Sequence, residues 1–285
     1  MSVELARYTT LGTGGPAREF AQPTSVTEVE ELLRRGENVA VVGLGSNLLV
    51  ADDGVDALVL HLEGELAAVR TLELSLRAGG GAANAVALHK ARTAGLGGFE
   101  FACAIPGTIG GGVWMNAGAY GGEFAGVLKR ALVATAEGSG WLTPSELGLS
   151  YRHSELRHGQ VVVEAELLLH ARASDEIKAD VRDLNAKRKA AQPTNRRTFG
   201  SVFKNPEHEL TAGRMLEACG LKGHRIGGAQ ISPKHANFIE NAGGARTEDA
   251  LALMREAIRR AREQFGVELQ HEVELLGFPD DWRLL

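Results

Sequence analysis

The chain has 285 residues, 36 of them glycine, 8 proline and 2 cysteine, with a formal net charge of -5 at pH 7 and a sequence pI near 6.0. Glycine at roughly one residue in eight, against about one in fourteen ordinarily, comes here without a three-residue period and among Ala, Leu and Val, which excludes collagen and low-complexity disorder. The acidic balance argues against a nucleic-acid partner, and neither a signal peptide nor a membrane span is expected.

The elements follow in chain order. Ser25 and Glu28 form a capping box that opens a short helix through Leu33, ended by Gly36. A strand over 39–42 runs into Gly43-Leu44-Gly45-Ser46-Asn47, and a second covers 57–62. Residues 71–77 alternate apolar and polar positions as one half-buried strand would. The triplet Gly79 to Gly81 leads into a helix over 82–94, and 95–122 then hold ten glycines with little periodicity. Strands are expected near 132–136 and over 161–171, with a basic amphipathic helix over 175–190 and a boundary at Pro193. Beyond it come a short helix at 214–218, a strand at 236–240 and a long helix over 248–265, capped by Thr247 and ended by Gly266. Leu251, Met254, Ile258, Ala261 and Phe265 line one face of that helix, and a strand over 267–276 closes the chain. Without strict βαβ alternation the fold class is α+β.

The glycine loops carry the chemistry. Gly43-x-Gly45 and Gly79-x-Gly81 each miss the third glycine of a dinucleotide-binding turn, and no P-loop lysine follows any glycine run. Gly43 to Asn47 can nevertheless turn several N–H groups toward one spot, as can Ile105-Pro106-Gly107-Thr108-Ile109-Gly110-Gly111, continued by Asn116 and Gly118. Two donor-rich loops suit a large phosphate-bearing cofactor, whereas Gly79 to Gly81 reads as a strand-to-helix turn. The basic run Arg182, Lys187, Arg188, Lys189, Arg196 and Arg197 suits phosphates or a solvated helix face. Cys103 and Cys219 read as reduced thiols, and the histidines lack metal spacing.

The strings VVGLGSNLLVADDG, GLGGFEFACAIPGTIGGGVWMNAGAYGGE, LSYRHSEL, GSVFKNP and KHANFI, in this order, resemble the UDP-N-acetylenolpyruvoylglucosamine reductase (MurB) family across nearly the whole chain. The resemblance implies FAD-binding subdomains over 1–62 and 63–192, of the vanillyl-alcohol-oxidase type, and a smaller α+β substrate domain over 193–285. It implies non-covalent FAD, NADPH as reductant, a UDP-sugar enolpyruvyl ether as substrate and a cytoplasmic step of bacterial peptidoglycan synthesis. No metal, membrane insertion or obligate protein partner is implied.

Carried over by motif, Gly43, Leu44, Gly45, Ser46 and Asn47 hold the FAD pyrophosphate. Ile105, Pro106, Gly107, Thr108, Gly110, Gly111, Asn116 and Gly118 complete the flavin site. Arg152 matches an active-site arginine that also binds substrate, Ser201 the proton donor, and Glu272 (chosen over Glu274 by its spacing to Gly277) the C-terminal catalytic glutamate, while Asn205 and Lys204 match substrate contacts. Cys103-Ala104 departs from the family glycine before Ile-Pro-Gly. The short stretch between Arg152 and Ser201 resembles the branch lacking an inserted substrate-covering loop. Another flavin oxidase would lack GSVFKNP, and a non-catalytic UDP-sugar-binding protein would be colourless.

Overall fold

The computed structural model describes residues 3–36 and 38–278. It falls into two compact units: a central one, Phe20–Leu44 with Ala57–Arg188, and a terminal one, Met1–Glu19, Gly45–Asp56 and Lys189–Leu285. Helices and mostly antiparallel strands mix in both units, so the fold is α+β.

In the central unit Ser25 caps α1 (Val26–Leu33), accepting the Glu28 N–H at 3.3 Å, while the Glu28 carboxylate reaches back to the Thr24 N–H at 2.6 Å. Val29 and Leu33 of α1 are buried with Leu58 and Leu60 of the strand Val55–Leu60, which runs parallel to Val39–Val41. A five-stranded antiparallel sheet has the order Gly138–Leu142, Leu128–Thr135, Val161–Leu168, Ser75–Gly79, Val69–Leu72. Both of its faces are covered, which is why Val161, Val162 and Val163 are all buried. Val161 and Val163 join the α1 core, and Val162, Ala165 and Leu167 join a larger one around Phe99 and Phe124. The parity changes because a bulge leaves Val163 without an opposite residue, Leu132 facing Glu164 and Val133 facing Val162.

Three expectations are corrected here. The alternating residues 71–77 are two strands of a hairpin, turned at Glu73 with φ 45°; alternation reads alike in one strand or two, and no Gly or Asn marks the turn. The strand expected over 161–171 stops at Leu168, and His170–Ala171 pairs instead with Leu96–Gly97. After α2 (Asn84–Thr93), the glycine-rich stretch contains the short helix α3 (Ile109–Trp114), capped by Thr108. Helix-poor composition is accepted there because a Cβ on Gly112 would lie 2.2 Å from the Phe124 ring. The exposed helix α4 (Ser174–Ala191) ends near Pro193.

The terminal unit has a four-stranded antiparallel sheet in the order Thr198–Ser201, Phe238–Asn241, Ala229–Ile231, Arg225–Ile226. Its core also takes Met215 and Leu216 of α5 (Ala212–Ala218) and Leu251, Met254, Ile258 and Ala261 of α6 (Thr247–Phe265), with Phe265 partly buried. Thr247 does not cap α6. Its hydroxyl turns inward to the Val50 carbonyl, and the first two N–H groups of the helix go to the Asp52 carboxylate at 3.0 and 3.1 Å. Gly266, at φ 66°, ends the helix in the left-handed conformation.

The strand expected over 267–276 is regular only at Glu274–Leu276, which runs parallel to Leu48–Val50. Residues 270–272 bond instead to 202–204 through one isolated bridge. Among the described residues no helix is long and apolar enough to cross a membrane, and no cluster of side chains could hold a metal.

Candidate functional site

In the central unit the two donor-rich loops meet. A Cβ on Gly43 would lie 2.6 Å from the Thr108 hydroxyl oxygen, so Gly43-Leu44 and Ile105 to Gly111 form one surface. Among the described residues no acceptor takes the backbone N–H groups of Gly43, Leu44 or Gly45. A run of unused amides is what a diphosphate fits, and the residues present therefore suit FAD. Gly45 itself belongs to the terminal unit, at φ 59°, where a Cβ would lie 2.0 Å from the Tyr8 carbonyl oxygen. Only glycine meets both demands.

The Gly79 to Gly81 turn braces the second loop from behind. Asn84 donates its backbone N–H to Gly107 at 3.0 Å and its side-chain NH2 to the Ile105 carbonyl at 3.1 Å, while Ile109 and Gly110 donate to Ala82 and Gly80. Cys103, just ahead of the loop, has its carbonyl 3.4 Å from Arg188 Nη1. Burial pushes the Cys103 thiol up and the Arg188 guanidinium down from their ordinary pKa values.

Also in the central unit, Arg152 adopts φ 53°, one of four non-glycine left-handed residues there among the described residues, with Glu73 at 45°, Asn116 at 42° and Tyr120 at 51°. Such backbone costs about 1 kcal/mol or more and persists where neighbours enforce it. Arg152 Nη2 donates to the Gly118 carbonyl at 2.5 Å, and the guanidinium lies 5.2 Å from the Tyr151 ring centre. Asn116 is fully buried; its NH2 donates to the Ser150 carbonyl and its oxygen accepts the Ala125 N–H, both at 2.8 Å. Asn116, matched to the flavin site by motif, thus has both ends of its amide bonded inside the protein.

The terminal unit assembles Gly45, Ser46, Asn47, Ser201, Lys204, Asn205 and Glu272. A Cβ on Gly200 would lie 3.2 Å from the Ser46 carbonyl oxygen, so the loop from Gly45 to Asn47 flanks Ser201. Asn47 Nδ2 donates to the Glu272 carbonyl at 3.1 Å, and the Glu272 N–H donates to the Val202 carbonyl at 2.8 Å. Ser201 and Glu272 are therefore on adjoining segments. The Ser201 hydroxyl is half-buried and has no hydrogen-bond partner among the described residues. Lys204 donates its backbone N–H to Gln270, and the Asn205 side-chain oxygen accepts the Ala212 N–H at 3.1 Å. Glu272 precedes the closing strand, and Glu274 is its first residue.

A family model described as the C-terminal domain of UDP-N-acetylenolpyruvoylglucosamine reductase matches residues 192–276, and one described as an FAD binding domain matches 17–140. UDP-N-acetylenolpyruvoylglucosamine reductase 2 of Symbiobacterium thermophilum is 43% identical over 96% of this chain and 90% of that protein. The chain belongs to the UDP-N-acetylenolpyruvoylglucosamine reductase family. The reductase of Anaeromyxobacter sp. strain K is 43% identical over 96% of this chain and 84% of its own. The crystal structure of the MurB reductase of Thermus caldophilus matches with a TM-score of 0.86 and 38% identity, covering 97% of this chain and 98% of that one.

Within this reductase family member the basic run is scattered. Arg182 is exposed beside Asp183, Arg188 is half-buried near Cys103, and Arg196 lies 3.8 Å from the buried Glu240. Sequence reasoning gave no role to the residues behind the site, Asn84, Asp52 and Asn237. Asp52 and Asn237 fell in quoted motifs and Asn84 did not, but the bonds that define all three are long-range.

Proposed function

We propose that the chain is an FAD-dependent UDP-N-acetylmuramate dehydrogenase, reducing the enolpyruvyl ether of a UDP-N-acetylglucosamine to a lactyl ether with NADPH. The observation that carries this reading is the pairing of an unbonded Ser201 hydroxyl with the Glu272 segment beside the loop from Gly45 to Asn47. Gly43 to Asn47 and Ile105 to Gly111 would hold FAD, which when bound would pass to the substrate a hydride taken from NADPH. Residues 1–62 and 63–192 serve as its binding subdomains and 193–285 as the substrate domain. Nucleotide sugars and NADPH place the reaction in the cytoplasm.

A hydride added to the β-carbon of the enolpyruvyl group leaves negative charge on the α-carbon and its carboxylate. Arg152 stabilises that charge: its guanidinium is anchored on the Gly118 carbonyl and pairs with the carboxylate. The Ser201 O–H gives its proton to the α-carbon, completing the C–H bond. Glu272 orients the hydroxyl and the path by which it regains a proton from solvent. Lys204 and Asn205, next in the chain, bind the UDP-sugar.

The test is anaerobic. The purified protein should be yellow, bleach with NADPH and recover its colour when the UDP-enolpyruvyl sugar is added. Ser201→Ala should bleach normally and recover at least about a hundredfold more slowly, a loss of roughly 3 kcal/mol. Bleaching without recovery in the parent enzyme would exclude this substrate.

A further inference from the structure

Asn237 lies in the Lys234 to Ile239 stretch, to which the proposed reaction assigns nothing. It is 4% exposed and immediately precedes the strand Phe238–Asn241. Three hydrogen bonds join it to the two residues after Ser201. Its backbone carbonyl accepts the Val202 N–H at 2.9 Å, its side-chain oxygen accepts the Phe203 N–H at 2.9 Å, and its side-chain NH2 donates to the Phe203 carbonyl at 2.8 Å. The last two reproduce, with a side-chain amide, the pair of bonds that facing residues exchange across an antiparallel ladder. The Asn237 backbone cannot make that pair, because its own N–H is turned to His235 Nδ1 at 3.2 Å.

The register explains why a substitute is needed. Thr198 faces Glu240 and Ser201 faces Phe238, so three steps along one strand meet two along the other. The extra residue makes a bulge at Phe199-Gly200, with Gly200 at φ 84°. Such a bulge re-aims Ser201 and leaves the ladder about to end. Beyond it, the opposite edge of the segment is held by the Lys204 N–H on Gln270 and the Glu272 N–H on Val202. Asparagine suits the clamp chemically, since it presents donor and acceptor together on a short stem. Aspartate lacks the donor, and leucine lacks both.

The geometry points to Asn237 as a positioning residue for Ser201, a two-bond clamp that fixes the segment after the bulge and so aims the proton-donating hydroxyl. Its catalytic consequence rests on the reaction proposed above; the clamp itself does not.

The test uses flavin-loaded enzyme with Asn237→Ala, Asn237→Asp, Ser201→Ala and the double variant Ser201→Ala/Asn237→Ala. Amide hydrogen exchange at Val202 and Phe203 should quicken at least about tenfold in Asn237→Ala, while Leu253 in α6 keeps its protection. Bleaching by NADPH should stay within about twofold of the parent. Reoxidation by the UDP-enolpyruvyl sugar should slow about 30- to 100-fold, in kcat more than in KM, as expected for a misplaced reacting group. Asn237→Asp, which keeps the acceptor for the Phe203 N–H, should fall between parent and Asn237→Ala. The double variant should be no slower than Ser201→Ala alone, because both changes remove one function.

Unchanged exchange at Val202 and Phe203 would overturn the clamp. Equal slowing of both half-reactions, or multiplying losses in the double variant, would make Asn237 a general structural residue instead. Should the parent enzyme fail to be reoxidised by that sugar, the proposed reaction falls, and the exchange data still decide the clamp.

Discussion

Arg152 in the central unit and Ser201 in the terminal unit both lie just off regular elements, and they are held in opposite ways. Arg152 carries the left-handed backbone itself, and part of its guanidinium is tied to Gly118, with Asn116 behind. At Ser201 the left-handed turn is displaced onto Gly200, the hydroxyl is left unbonded, and the backbone just beyond is gripped by Asn237. The difference suits the role proposed for each group. A charge that must point one way gains from a tethered side chain. A proton that must leave needs a free side chain on a fixed backbone.

That contrast breaks first at Arg152. Arg152→Lys keeps the charge but not the fork, so it cannot bond Gly118 and a carboxylate together. Reoxidation of reduced flavin by the UDP-enolpyruvyl sugar should fall by about a hundredfold with bleaching by NADPH retained. Stability should stay within about 0.5 kcal/mol of the parent. An undiminished reoxidation rate would remove Arg152 from the reaction.

Asn116→Ala sharpens it next. Loss of the amide leaves the Ala125 N–H and the Ser150 carbonyl without their partner, at about 2 kcal/mol. Urea unfolding should register that as a lower midpoint with an unchanged slope. A midpoint equal to the parent's would mean that Arg152 is held by its own bonds alone.

The smallest effect is expected at His235. Burial, with the Lys222 charge adding to it, holds its pKa below the ordinary histidine value. The unfolded chain therefore binds this proton more readily, and the stability that His235 contributes is complete above the ordinary value. It is lost as the pH falls toward the lower folded value. Protonation would also oppose acceptance of the Asn237 N–H by Nδ1. Urea midpoints between pH 8 and pH 5 should drop less in His235→Gln than in the parent; equal drops would assign the loss to other groups.

Much of the central unit was legible because its signals are local. The capping box of α1 read correctly from a few neighbouring residues, and so did the close backbone approach at Gly43. The hairpin at 69–79 was not, since its turn residue Glu73 carries no turn signature. Thr247 was misjudged as a cap because Asp52, nearly two hundred positions earlier, supplies the acceptor. The closing strand was overread for the same reason: 270–272 pair with 202–204, and an apolar pattern does not say where a ladder breaks.

The glycine surplus divides along this line. Sequence by itself determined that backbone must approach something closely, that the fold is α+β, and, through five ordered motifs, the family and its cofactor. Those conclusions depend on residue types and short spacings. Only the tertiary structure decided that Gly79 to Gly81 brace the loop beginning at Ile105, that Gly112 makes room for Phe124, and that buried asparagines bond the segments next to Arg152 and Ser201. Each is a contact between distant segments, and its energy exists only once the chain has brought them together.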